Sequence, residues 1–203
     1  APVESIIGFL NFATCSKRDK LLISQDASLN NSMPKLFSIS ALSISKGDEK
    51  LGFGGDPRLF AKFAILDPEV TYSLPEKQLG NGIVDAFVHV LEQYLTTDSQ
   101  ASIQDYFAEG ILKTLIEESQ KVIELKDYNS RANLMWAATQ ALNGLIGVGV
   151  QHDWSTHMIG HELTALHGID HARSLAVVLP SLLRETKDLK KQKLLRYARN
   201  VWN

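Results

Sequence analysis

From Tyr72 to the end of the chain the apolar residues recur at helical spacing, and this pattern restricts the fold more than any other feature. Ile83, Phe87, Val90, Leu91 and Tyr94 stand at i, i+4, i+7, i+8 and i+11, one stripe of an amphipathic helix. Ile103, Phe107, Ile111 and Leu115 predict a second helix, and Leu134, Ala138, Leu142 and Leu145 a third that runs into the glycine-rich stretch Gly144–Gly149. A further helix is expected from Ser155 to His167 with Gly168 as its C-cap. Another starts near Asp170 and is interrupted or kinked at Pro180. Leu194, Leu195, Ala198, Val201 and Trp202 mark the last. At the start, Ser73-Leu-Pro-Glu76 reads as a capping box, and Gly80-Asn81-Gly82 is expected to break or re-cap the helix it opens.

Before Tyr72 the texture is different. Leu36 to Ser45 alternates apolar residues with serine, the period of a half-buried strand; Lys46-Gly-Asp-Glu49 reads as a turn and Leu51-Gly-Phe53 as a short strand. Phe60 to Leu66 is a third apolar run, stopped at Asp67-Pro68 because the residue before proline is pushed out of helical geometry. The net charge of −2 gives no reason to expect nucleic acid or a membrane surface as partner. No apolar stretch reaches the roughly 18 to 20 residues that span a bilayer. The basic run Lys187 to Lys193 is read as a solvated helix face. Cys15 is the only cysteine, so a disulfide framework is excluded and a reducing, cytoplasmic setting is expected.

The chemistry concentrates in the helical part. His152, His157, His161 and His167 lie within sixteen residues, and His171 follows. His89 stands four residues after Asp85, and His161 four after His157, so each pair projects from one side of its helix. His171 lies beyond the Gly168 turn, where the chain can fold back toward the first pair. Taken singly, Asp85 and His89 read as a solvated helix face, and His152 and His167 as surface or capping histidines. Together, so many imidazoles and a carboxylate in one domain are costly to arrange without a charge or a metal to satisfy.

Gly82-Ile-Val-Asp85-Ala-Phe-Val-His89-Val-Leu-Glu92, and Trp154-Ser-Thr-His157-Met-Ile-Gly-His161-Glu-Leu followed by His167-Gly-Ile-Asp170-His171-Ala, resemble the two signatures of the iron-containing (group III) alcohol dehydrogenases. Leu51-Gly-Phe-Gly54 and Tyr197-Ala-Arg-Asn-Val-Trp202 are most similar to the branch of NADPH-dependent aldehyde reductases and butanol dehydrogenases. The resemblance implies Asp85, His89, His157 and His171 as ligands of Fe²⁺ or Zn²⁺. It places His161 beside the metal, near nicotinamide and substrate, as the catalytic and cofactor-facing residue. It implies hydride transfer between NADP(H) or NAD(H) and a small alcohol or aldehyde, in a homo-oligomer. A metal-dependent hydrolase or lyase on the same ligands, and a catalytically silent metal-binding helical module, stay open as alternatives.

The family's Gly-Gly-Gly-Ser phosphate turn has no counterpart here; Gly52-x-Gly-Gly55 is too short and opens no predicted helix. The expected class is therefore α+β, in two parts. Residues 1–72 form a β-rich remnant of a nucleotide-binding α/β domain. Residues 73–203 form a mainly helical metal-binding domain, C-terminally incomplete, as in dehydroquinate synthase-like architectures.

Overall fold

A computed structural model of the chain describes residues 42–46, 49–53, 63–97, 100–125 and 127–202. Residues 36–41 of the alternating run, Phe60, Gly54–Gly55 and Cys15 lie outside the described residues. Two short strands, β1 (Leu42–Lys46) and β2 (Glu49–Phe53), pair antiparallel with Leu42 opposite Phe53 and Lys46 opposite Glu49. Residues 63–67 have no regular structure. A 3-10 turn, Pro68–Ser73, then leads into six helices: α1 (Glu76–Tyr94), α2 (Ser102–Leu125), α3 (Tyr128–Leu142), α4 (Ser155–His167), α5 (His171–Thr186) and α6 (Lys191–Val201).

The α+β expectation is overturned, because the described body of the molecule is helical and no β-rich remnant of an α/β domain is seen. Among the described residues no third strand joins the hairpin. A lone hairpin makes no sheet layer, and a nucleotide-binding unit needs parallel strands joined through a helix. Alternation along the sequence reports local extension only.

Helix α1 is central and packs on α2, α3 and α5, while α4 lies on α5 and α6 on α2. Its start corrects the expected capping box. Pro75 is the N-cap without a side-chain hydrogen bond, and Ser73 Oγ instead donates to the Val70 carbonyl at 3.2 Å. Nor does Gly80-Asn81-Gly82 interrupt it. Two helical glycines cost roughly 1 kcal/mol each, but Leu79, Ile83 and Ala86 are buried around them. Lys77 also pairs with Asp170 at 2.6 Å, pinning the first turns of α1 to the start of α5.

The core joins Val90, Leu91, Tyr94 and Leu95 of the α1 region to Ala108, Leu112, Leu115 and Val122 of α2 and Leu134, Ala138 and Ala141 of α3. Helix α2 occurs where expected, with its inner face shifted: Leu115 of the predicted stripe is in the core and Ile111 packs against it. Ile103 and Phe107 are exposed, while Asp105, Ala108, Glu109 and Leu112 are buried. The inner face carries acidic residues that have partners on α6, which an apolar stripe alone cannot reveal. The same contacts correct part of the reading of the basic run: Lys193 is buried against Asp105 and Lys190 pairs with Asp153 at 2.5 Å, while Lys187 and Lys191 are exposed as expected.

Helix α4 ends at Gly168, whose φ of 64° is the left-handed cap. Helix α5 passes through Pro180 without a break in its assigned span. At the α4–α5 contact, a Cβ on Gly160 would lie 2.9 Å from Leu175 Cδ2 and 3.0 Å from Ser174 Oγ. The glycine lets the two helices approach closely, and this sets how the histidines on each face Asp85.

Candidate metal centre

Asp85 and His89 leave α1 one turn apart and both are buried. His157 comes from the first turn of α4, and His171 is the first residue of α5. One ligand atom each from Asp85, His157 and His171 falls within 4.8 Å of the others. Asp85 Oδ1 lies 3.3 Å from His171 Nε2 and 3.7 Å from His157 Nε2. His89 stands against this triplet, with its ring centroid 4.2 Å from that of His157. Its Nδ1–H donates to the Asp85 carbonyl at 2.9 Å, which makes Nε2 its lone-pair nitrogen.

His161 lies a turn beyond His157, exposed, with its ring stacked on His171 at 4.9 Å and 11° between planes. Of the expected residues, Asp85, His157 and His171 converge, while His89 lies beside them with its Nδ1 3.5 Å from Asp85 Oδ1, and His161 takes an outer position. His152 and His167 stay apart, as expected of surface or capping residues. His152 Nε2 donates to the Gly147 carbonyl at 2.9 Å, and His167 sits exposed in the last turn of α4.

Electrostatics follows from this crowding. Burial pushes the Asp85 carboxyl up, but the imidazoles of His157, His171 and His89 outweigh it and hold the group well below the carboxylate range. Burial drives His89 down to about 4 in spite of Asp85. For His157 burial is overcome by Asp85 and Glu92, which raise it to about 9. A buried carboxylate has therefore gathered imidazoles without being satisfied by them. Neither Asp85 oxygen nor His157 Nε2 has a hydrogen-bond partner, although all three atoms are buried. Buried polar atoms are rarely left in that state. A carboxylate with converging imidazole nitrogens and no sulfur fits a divalent cation such as Fe²⁺ or Zn²⁺.

Two neighbours stand in the quoted signatures but are given no role by the sequence reading. Trp154 packs edge-on to His89 at 5.7 Å and His157 at 5.5 Å, walling one side. Glu92 is buried at the end of the same α1 face, and its carboxylate accepts from His157 Nδ1. A signal for Glu92 was available: Asp85, His89 and Glu92 stand at i, i+4 and i+7.

Residues 81–203 match the C-terminal domain of the Fe-containing alcohol dehydrogenase family. The chain is 63% identical over 142 residues to the NADPH-dependent aldehyde reductase YqhD of Escherichia coli, covering 70% of this chain and 37% of that protein. It is 36% identical over 190 residues to NADH-dependent butanol dehydrogenase A of Clostridium acetobutylicum, covering 92% of this chain and 49% of the relative. The crystal structure of E. coli YqhD superposes with a TM-score of 0.78 at 56% identity, over 82% of this chain and 43% of that one. Butanol dehydrogenase A of Thermotoga maritima superposes with 0.75 at 34% identity, over 82% and 42%. The chain thus spans less than half the length of these relatives. Over that span it belongs to the iron-containing alcohol dehydrogenase family.

Proposed function

We propose that residues 73–203 are the metal-binding domain of an NAD(P)H-dependent alcohol dehydrogenase or aldehyde reductase acting on a small alcohol or aldehyde. One observation carries this reading: buried Asp85, with both oxygens unpartnered, lies among the imidazoles of three helices. Asp85, His157 and His171 are assigned as ligands through their converging atoms. His89 is assigned as the fourth by the resemblance of its signature, with its ring against that of His157. When bound, Fe²⁺ or Zn²⁺ supplies Lewis acidity toward the substrate oxygen.

The chain's own residues do the rest. Trp154 shields the imidazoles on one side, and Glu92 holds the His157 ring from behind. His161, outside the cluster and stacked on His171, is assigned to orient the nicotinamide and carry a proton at its imidazole. Among the described residues no glycine turn at a helix N-terminus offers a pyrophosphate site, so no step is derived through the nicotinamide. Relatives named for NADPH and for NADH both occur, which leaves either coenzyme compatible with the family.

Assembly with further copies of the chain is part of the proposal. It is supported by exposed Trp136, Met158 and Leu166, and a mass that rises with concentration is expected. No helix among the described residues is long and apolar enough to cross a membrane; a cytoplasmic setting is proposed on the single cysteine.

The test is bound metal per chain by elemental analysis after anaerobic loading with Fe²⁺ or Zn²⁺. About one ion per chain is expected, as for a site of one carboxylate and imidazoles, with loss in His157→Ala and in His171→Ala. No bound metal in the unaltered chain would sink the reading. NAD(P)H oxidation with a small aldehyde is expected to be weak or absent in this chain, and a robust rate would show that it binds nicotinamide without the phosphate turn.

A further inference from the structure

The carboxylate of Glu92 makes contacts that a helix cap alone does not need. Oε1 accepts from the backbone N–H of Thr156 at 2.6 Å and of His157 at 3.2 Å, so it caps the first turn of α4. Oε2 accepts from His157 Nδ1. The other nitrogen of that ring, Nε2, is buried without a hydrogen-bond partner and faces Asp85 Oδ1 at 3.7 Å. The backbone carbonyl of Glu92 also accepts from Asp153 N–H at 2.9 Å, which fixes the approach of the α3–α4 loop to the same point.

Every partner of this side chain is a donor. Only a group with acceptors at both ends can meet two backbone N–H groups on one oxygen and an imidazole N–H on the other. From this we propose that Glu92 is a positioning residue that holds the proton on His157 Nδ1, so that Nε2, on the side of Asp85, is the nitrogen left to bind the metal. The inference rests on the metal-centre reading above. It assigns to the far end of α1 the choice of which His157 nitrogen binds, while α1 itself supplies Asp85. Because the same oxygens cap α4, the helix start and the ring orientation are set by one group.

Glu92→Gln separates the two duties. The amide oxygen can go on capping α4, so the fold is retained, but the amide NH₂ then meets Nδ1 and demands an acceptor there. The proton moves to Nε2, where it blocks the lone pair. Turning the amide over only transfers the conflict to the Thr156 and His157 N–H groups.

The experiment titrates Zn²⁺ into the full chain and into Glu92→Gln against a chromophoric chelator. A long-range ¹H–¹⁵N spectrum of the Zn²⁺-loaded, ¹⁵N-histidine-labelled full chain is recorded beside it, with His157 assigned by its loss in His157→Ala. Expected are an Nδ1–H tautomer for His157 and an affinity loss of about 10- to 100-fold in Glu92→Gln, the range for removing an outer partner of a ligating histidine. Zn²⁺ binding by Glu92→Gln within about threefold of the unaltered chain, well under that range, overturns the inference and leaves the metal centre standing. An Nε2–H tautomer in the loaded chain overturns it whether or not the variant folds. Failure of the unaltered chain to bind Zn²⁺ overturns both.

Discussion

Two clusters of charged side chains are buried in this helical domain, and they are built on opposite terms. Around the α2–α6 contact the groups satisfy one another. Asp105 takes Lys193, and Glu109 takes Arg196 together with Tyr94 Oη at 2.9 Å and Asn200 Nδ2 at 3.0 Å. A single guanidinium nitrogen, Arg196 Nη2, has no partner. Burial pushes the Glu109 carboxyl up, and Arg196, Tyr94 and Asn200 more than offset that. Around Asp85 the pairing is incomplete: Oδ1 lies 3.3 to 3.7 Å from nitrogens of three histidines, but neither carboxylate oxygen nor His157 Nε2 makes a hydrogen bond at the meeting of α1, α4 and α5. A cluster that pairs its own charges fastens helices. A cluster that leaves a buried acceptor without a hydrogen bond is shaped for a ligand from outside.

The contrast predicts that the two clusters fail differently. Asp85→Asn is expected to have the largest effect, a fall in bound metal from about one ion per chain to none detectable. Its stability cost is expected to stay at about 1 kcal/mol, because the imidazoles it leaves can shed their charge. Elemental analysis and thermal melting on the same sample read both, and a collapse of the fold would break the comparison.

Lys193→Met should do the reverse. It leaves buried Asp105 with only the longer Arg196 Nη1 contact at 3.5 Å and should cost about 3 kcal/mol, measured by urea unfolding, with the metal content unchanged. Loss of metal there would mean that the two clusters are coupled through α1 and α2.

Gly160→Ala lies between these extremes. The added methyl meets Leu175 and Ser174, so α4 must shift away from α5, at about 1 to 2 kcal/mol for overpacking. Because His157 and His171 sit on those two helices, Zn²⁺ affinity should fall as well, by less than in Glu92→Gln. Destabilisation without a change in affinity would show that the centre tolerates helix movement.

Much of this was readable along the chain. The stripe from Ile83 to Tyr94 announced α1, and the alternation of Leu and Ser announced extended backbone. The positions of α4 and its Gly168 cap followed from spacing and from the one residue type that takes positive φ cheaply. The faces of helices were less legible. Ile111 and Leu115 of the predicted α2 stripe do face the core, but Ile103 and Phe107 do not, because the first turns bury Asp105 and Glu109 against partners on α6, nearly a hundred residues later, and Tyr94. The glycines of α1 looked like a break because local propensity carries no knowledge of the burial of Leu79, Ile83 and Ala86 around them. The hairpin looked like part of a larger sheet because a strand's period is the same in either setting.

The sequence by itself determined which ligands share a helix. With 3.6 residues per turn, i and i+4 must project together, so Asp85 went with His89 and His157 with His161 whatever the rest of the chain did. Which histidine of the second cluster faces Asp85 was decided by tertiary structure alone. His157 and His171 turn inward while His161 stacks outside them, because the close approach of α4 to α5 at Gly160 and the hold of Glu92 on the His157 ring set those directions. Distances between side chains on separate helices depend on how the helices pack, and no periodicity along one helix contains that information.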